Sequence, residues 1–290
     1  MGKCNLCPRK CNIDRNTSVG FCLCSNTAVV SKFMLHKWEE PPISAQNGSG
    51  AVFFSGCTLK CVYCQNQEIS RKPQGTEYSP KQLADIFLQL QENGAHNINL
   101  VTPTHFTNQI ISALELVKHK INIPIVYNTS GYETVDTLKL LKGYIDIYLP
   151  DFKYYNSELA QKYSKAPDYF DVAVKAIKEM YDQVGAYREN NNGLAIKGVI
   201  IRHLVLPGCR HDSVKILEEI KKALPIKNIR LSLMSQFTPD FVSPEYKELS
   251  RKITSFEYNY VLNKAIELGF DGFFQQKDSA SAKYTPNFIK

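Results

Sequence analysis

The sequence predicts an α/β protein: a partial (β/α)6 barrel of parallel strands with a small N-terminal Cys-rich metal-binding extension. Three observations lead there. From residue 51 onward, short apolar runs alternate six times with amphipathic helical patterns, as expected for βα units on a parallel sheet. Polar and reactive residues recur just after those runs, at the strand ends where α/β proteins build their sites. Five of the nine cysteines fall within residues 1–24, a stretch too short to fold around an apolar core without a staple.

The elements follow in order. Residues 1–30 form the Cys-rich knuckle. Residues 31–50 form a connector, irregular from Glu39 to Gly50 because of its Pro and Gly content. Residues 51–290 form the barrel. Its strands are expected at 51–55, 98–102, 123–128, 145–149, 197–206 and 229–234. Most are continuous apolar runs, as in strands covered on both faces. Leu83, Ile86, Phe87 and Leu90 follow the i, i+3, i+4, i+7 spacing of a helix. The same reading applies to Ile110, Leu114 and Val117, to Val135, Leu138 and Leu141, and to Phe170, Val174, Ile177 and Tyr181. Two further helices carry Val214, Leu217 and Ile220, then Tyr258, Val261, Leu262 and Ala265. Gly143, Gly185 and Gly269 stop three of the six. The units make either an incomplete barrel or a doubly wound sheet.

Composition narrows the function classes. A net charge of +7 is spread without a dense Lys/Arg block, so a solvated basic surface is expected and nucleic-acid binding is not. No run approaches a membrane span, and the N-terminus lacks the apolar core of a secretion signal. A cytoplasmic monomer is expected. Nine cysteines in a reducing compartment then argue for metal ligation over disulfides.

The strongest signal is Cys57-x3-Cys61-x2-Cys64, directly after the first strand. Most cysteine-held clusters take four protein thiolates. Three leave one iron without a protein ligand, and an open coordination position is where a metal centre does chemistry. A distant fourth ligand, Cys209 or His105, would instead close a structural site.

With Tyr63 before its third cysteine, this run resembles the radical S-adenosylmethionine superfamily. Tyr63 to Asn66 followed by Glu68, Thr129-x-Gly131, Asp151-x-Lys153, Arg202 and Leu206-Pro207-Gly208 look like its pyruvate formate-lyase activating enzyme branch. Gly48 to Gly50, Asn99 to His105, Tyr127 to Tyr132 and Tyr148 to Lys153 look closer still to the X-type iron–sulfur proteins of that branch. The resemblance covers nearly the whole chain. It implies a 4Fe–4S cluster on Cys57, Cys61 and Cys64, whose open iron binds S-adenosylmethionine. It also implies reductive cleavage to a 5′-deoxyadenosyl radical, hydrogen abstraction from a protein or peptide substrate such as a glycyl-radical enzyme, and an electron donor such as flavodoxin or ferredoxin. Action on a small molecule, or a non-catalytic electron-transfer role, are the alternatives.

The expected cofactor contacts come from each strand end in turn. They are Tyr63 and Asn66, then Thr102 and Thr104, then Asn128 and Ser130, then Asp151 and Lys153, and finally Arg202 and Gln236. Val101 to His105 stands where the superfamily usually carries a Gly-Gly-Glu-Pro-like segment, so Thr102, Thr104 or the backbone must supply acceptors there. His105 reads equally as a pocket donor or as a structural residue. Asp151 and Lys153, two apart, point the same way along a strand. Arg202 interrupts an apolar strand and needs an anionic partner. In the extension, Cys4, Cys7, Cys11 and Cys22 form a second metal site, zinc or an auxiliary iron–sulfur cluster. Cys24 is a spare thiol and Cys209 stands apart.

Overall fold

A computed structural model describes residues 3–275 together with Pro286 and Phe288. Its described strands are β1 (Ala28–His36), β2 (Ser49–Phe54), β3 (Thr76–Tyr78), β4 (Ile98–Val101), β5 (Ile125–Thr129), β6 (Ile147–Pro150), β7 (Arg188–Glu189), β8 (Ala195–Leu204), β9 (Arg230–Met234) and β10 (Gly272–Phe274). They form one sheet in the order β10-β9-β8-β6-β5-β4-β2-β1-β3, with β7 beside β8. From β2 to β10 the path is parallel, while β1 runs antiparallel to both β2 and β3.

The parallel strands stand side by side in chain order, with no point at which that order reverses. A doubly wound sheet requires such a reversal. The fold is therefore the singly wound, partial-barrel alternative.

The described helices are α1 (Pro41–Ser44), α2 (Gln67–Arg71), α3 (Pro80–Glu92), α4 (Thr107–Val117), α5 (Val135–Leu140), α6 (Ser157–Ser164), α7 (Tyr169–Val184), α8 (Arg210–Ala223) and α9 (Ser255–Leu268). Local chemistry sets several of their ends. Ser79 and Gln82 close a reciprocal cap at the start of α3, with Pro80 in the first turn. Thr254 and Glu257 do the same for α9.

Alternation along each strand separates two layers. Val52, Phe54, Leu100, Tyr127, Tyr148, Ile201 and Leu231 join the large core shared with the helices. Their neighbours Phe53, Asn99, Asn128, Arg202 and Ser232 take the other face, the inside of the half-barrel. That inner layer is polar in its upper part, which is why a charge can stand within the apolar run of β8.

Several elements differ from expectation. Residues 31–50 are not merely a connector, since they carry most of β1 and all of α1. Six of the nine β1 residues are only half-buried, five of them in a row, so no clean two-residue period shows. In α1, Ile43 is fully buried with Val126, Ile147, Leu149 and Ile200 from the inner faces of β5, β6 and β8. Burying such a side chain contributes about 1.5–3 kcal/mol, enough to draw this Pro-rich segment into the half-barrel. The three-residue strand β10 adds a seventh parallel strand; a run that short carries no period. Among the described residues, no helix is long and apolar enough to cross a membrane.

Candidate active site

The chain leaves β2 through Ser55 and Gly56. Gly56 has φ +81°, and a Cβ there would stand 2.4 Å from Cys24 Sγ and 2.5 Å from the Cys22 carbonyl oxygen. Only glycine can make this turn against the N-terminal segment. The loop from Cys57 to Cys64 then lies along the C-terminal end of α6. The amides of Lys60 and Val62 donate to the carbonyls of Ser164 (3.3 Å) and Tyr163 (2.8 Å). Arg9, between two N-terminal cysteines, donates through Nε to the Thr58 carbonyl (2.8 Å) and through Nη2 to that of Ser164 (3.3 Å).

Cys57, Cys61 and Cys64 line one cleft of about 240 Å³ at the C-terminal ends of the strands. All three are half-buried. Each sulfur meets a polar group: the Leu59 amide reaches Cys57 at 3.4 Å, the Ser164 hydroxyl reaches Cys61 at 3.0 Å, and the Ser70 hydroxyl lies 3.5 Å from Cys64. Burial pushes the Cys57 thiol up to about 12 and raises Cys61 as well. The bare Cys57 and Cys61 thiols are therefore neutral here, and positively charged iron is what would keep them as thiolates.

The same cleft is lined by Tyr63, Asn66, Thr102, Asn128, Ser130, Asp151, Lys153, Arg202 and Gln236. The sequence-expected contacts thus converge, with one exception. Thr104 is buried away from the cleft, and its hydroxyl donates to Glu133 Oε1 at 2.6 Å. The cause is Thr102, which takes φ +59° directly after β4 and turns the following residues under the sheet edge. His105 is also withdrawn. Its Nε2–H donates to the Ser55 carbonyl at 2.7 Å, and burial pushes its pKa down to about 3. It braces the turn before Cys57 as a neutral imidazole.

A charged network occupies the inner wall. Arg202 Nε donates to Asp151 Oδ1 (2.9 Å), Nη1 to Glu39 Oε2 (3.2 Å) and Nη2 to Asn128 Oδ1 (2.6 Å). Lys153 Nζ stands 2.6 Å from Asp151 Oδ2. Glu39 Oε1 accepts from Asn99 (3.2 Å) and Asn128 (3.1 Å). Burial raises the Glu39 carboxyl despite the attraction of Arg202. Burial also works against ionisation of Asp151, but Arg202 and Lys153 outweigh it and hold Asp151 below its ordinary range.

Glu39 is the carboxylate of the cleft that sequence reasoning missed. It has no periodic neighbours and enters the half-barrel only because Ile43 is buried there. It adds a carboxyl to the cleft from a part of the chain that precedes the βα units.

Gly131 shapes the rim. At φ +75°, a Cβ there would meet the Asp151 carbonyl at 2.3 Å. The turn after β5 must be glycine for β6 to deliver Asp151 into the cleft.

The N-terminal cysteines stand apart from the cleft. A pair of backbone bonds, Cys4 N to Ile13 O and Asn12 N to Cys4 O, closes the first loop. The Phe21 amide donates to Cys11 Sγ at 3.3 Å. Cys7 and Cys22 are buried, and Cys24 donates to the Ser55 carbonyl at 3.2 Å. Burial pushes the Cys7 thiol up to about 12. Among the described residues, no three His, Cys, Asp or Glu side chains converge closely enough to hold a single metal ion.

Residues 51–185, which hold the Cys57–Cys64 loop and the elements from β2 to α7, match the radical SAM superfamily, whose cofactor is S-adenosylmethionine (SAM). The chain therefore carries a radical SAM superfamily domain. It is also of one family with the uncharacterized protein MJ0674 of Methanocaldococcus jannaschii, 34% identical over 279 residues, 91% of this chain and 73% of that protein. Two solved radical SAM structures share the fold. SuiB of Streptococcus suis, bound to its precursor peptide SuiA, superposes with a TM-score of 0.50 at 15% identity over 76% of this chain. The chain spans 46% of SuiB's length. A cysteine-to-alanine mutant of spore photoproduct lyase superposes with a TM-score of 0.52 at 10% identity, over 85% of this chain and 79% of its own. The radical SAM family implies a 4Fe–4S cluster and SAM as cofactors of this domain.

Proposed function

We propose that Cys57, Cys61 and Cys64 hold the 4Fe–4S cluster and that the enzyme abstracts hydrogen from a protein or peptide substrate, with a glycyl-radical enzyme as one such target. When bound, the cluster and SAM supply a one-electron reductive cleavage that yields methionine and a 5′-deoxyadenosyl radical. The chain's own residues bind and orient. Arg202 and Lys153 offer cationic partners for a carboxylate, and Glu39 and Asp151 offer acceptors for an ammonium group. Tyr63 presents its ring to the cleft. The electron comes from a carrier such as a flavodoxin or ferredoxin.

The observation that carries this reading is the convergence of three half-buried thiols with the Glu39–Arg202–Asp151–Lys153 network in one cleft. The peptide class draws support from the peptide-bound SuiB of like fold. For the N-terminal segment, we read Cys4, Cys7, Cys11 and Cys22 as the ligands of a second metal centre. Zinc and an auxiliary iron–sulfur cluster both suit four cysteines at this spacing.

The test is anaerobic reconstitution with iron and sulfide, followed by dithionite and SAM. Formation of 5′-deoxyadenosine is expected; its absence from protein with confirmed cluster loading overturns the reading. The single tryptophan, Trp38, lines the same cleft, so a change in its fluorescence on adding SAM reports binding separately. Deuterium passing from a labelled peptide into 5′-deoxyadenosine identifies the substrate class.

A further inference from the structure

Behind the cluster loop, three buried hydroxyls run in series to one of the three sulfurs. Tyr63 Oη lies 2.5 Å from Tyr154 Oη. Tyr154 Oη lies 2.7 Å from Ser164 Oγ, and Ser164 Oγ lies 3.0 Å from Cys61 Sγ. Tyr154 and Ser164 are 1% and 0% exposed, so water does not compete for these groups.

Proton counting sets the direction of this chain. A ligating thiolate has no proton and can only accept. Ser164 must then donate its one proton to Cys61, so it accepts from Tyr154. Tyr154 in turn has spent its proton and accepts from Tyr63. All three O–H dipoles point toward one sulfur, and bonds in such a series strengthen one another in a low-dielectric interior. Among the described residues the other two sulfurs have nothing comparable: Cys57 has one long amide contact and Cys64 one hydroxyl at the limit of bonding distance.

We propose that Ser164, Tyr154 and Tyr63 are positioning residues that act through Cys61, withdrawing charge from its sulfur and raising the reduction potential of the cluster. Hydrogen bonds to cluster sulfurs favour the reduced, more negative state. The chain therefore eases the one-electron reduction that precedes SAM cleavage. It also makes the iron held by Cys61 electronically distinct from those held by Cys57 and Cys64. The proposal rests on the reading of Cys61 as a cluster ligand. Buried hydroxyls need partners in any fold, so a purely structural chain predicts a loss of stability on truncation and no change in potential.

The experiment is a redox titration of reconstituted protein, followed by electron paramagnetic resonance, on the wild type, Ser164→Ala and Tyr154→Phe, with iron content measured on each. Ser164→Ala should lower the potential, leaving the cluster on the order of tenfold less reduced at a fixed dithionite potential, the size of one hydrogen bond to a charged acceptor. Tyr154→Phe, which keeps the volume and leaves Ser164 in place, should shift it in the same direction by about two- to threefold. Ser164→Thr, which keeps the hydroxyl, should restore the wild-type spectrum and potential. Fully loaded Ser164→Ala and Tyr154→Phe proteins with the wild-type potential would overturn the proposal alone. A wild type that binds no cluster would overturn the ligand reading and the proposal with it.

Discussion

The central and N-terminal cysteines meet at one stretch of chain, residues 55–64, and meet it differently. Cys57, Cys61 and Cys64 are half-buried on the cleft, each within reach of a polar donor. Cys7, Cys22 and Cys24 are buried, and the segment that carries them grips the loop from behind. Arg9 holds the Thr58 carbonyl, Cys24 holds the Ser55 carbonyl, and Arg15 donates to the His105 carbonyl beside them. The contrast separates two placements of similar sequence: thiols that face a cleft, and thiols within a segment that braces the loop carrying the first group.

Replacing one thiol from each group tests this most directly. Cys61→Ala should remove 5′-deoxyadenosine formation entirely, because the two remaining thiolates cannot fix the cluster in the cleft. Cys7→Ala should leave part of the product, measured by chromatography on protein of matched iron content. Equal, complete loss in both would erase the distinction. The brace itself is tested next. Arg9→Ala removes charged donors from the Thr58 and Ser164 carbonyls and a cation stacked 4.0 Å from the Phe21 ring. Loss on the order of 4 kcal/mol in urea unfolding is expected, from two hydrogen bonds involving a charged group. Cluster loading should fall with it. Arg9→Lys should rescue little, since an ammonium cannot span the carbonyls as the planar fork does.

A buried carboxyl beneath the strand ends makes the stability of the fold pH-dependent. Glu133 accepts from Thr104 and Thr129 and is 1% exposed. Burial raises it from 4.5 to about 7. The folded state therefore holds this proton more tightly than the unfolded chain does. Its contribution is full below pH 4.5 and is lost as pH rises through about 7. The swing is on the order of 3 kcal/mol. Unfolding of the cluster-free protein between about pH 5 and about pH 8 should show this decline, and Glu133→Gln should flatten it. An unchanged slope in that variant would show that Glu133 does not carry it.

Legibility in the sequence followed the physics of each region. Arg202 was readable because a charge inside an apolar strand must be paired, and the shared cleft of Cys57, Cys61 and Cys64 because their separation in the chain is short. The parallel strands were readable because burial on both faces makes continuous apolar runs. Glu39 was not: what brings it to Arg202 is the burial of Ile43 across the half-barrel, a long-range event with no local pattern. Ser164 was equally hidden, since nothing at the end of α6 announces a sulfur 103 residues away in sequence. Thr104 was placed in the cleft because it follows a strand. The left-handed turn at Thr102 redirects it, and a β-branched residue is a poor advertisement for such a turn.

That turn supplies the finest comparison. Both regions hold non-glycine residues at positive φ: Thr102 at +59° on the cleft, and Leu23 at +65° between Cys22 and Cys24. Each stores on the order of 1 kcal/mol of backbone strain that glycine would relieve. Leu23→Gly and Thr102→Gly should therefore both stabilise the cluster-free protein by up to about 1 kcal/mol in urea unfolding. Their effects on chemistry should diverge. Leu23 lies on an outer turn and its replacement should leave 5′-deoxyadenosine formation near wild type. Thr102 lines the cleft where the missing Gly-Gly-Glu-Pro-like segment would stand, and its loss should weaken SAM binding, read from Trp38 fluorescence, even as the fold gains. Strain that is relieved at no functional cost on one side and at a cost on the other would mark Thr102 as held in place for the cofactor. Equal tolerance at both positions would leave the Thr102 turn as a local accident of the chain.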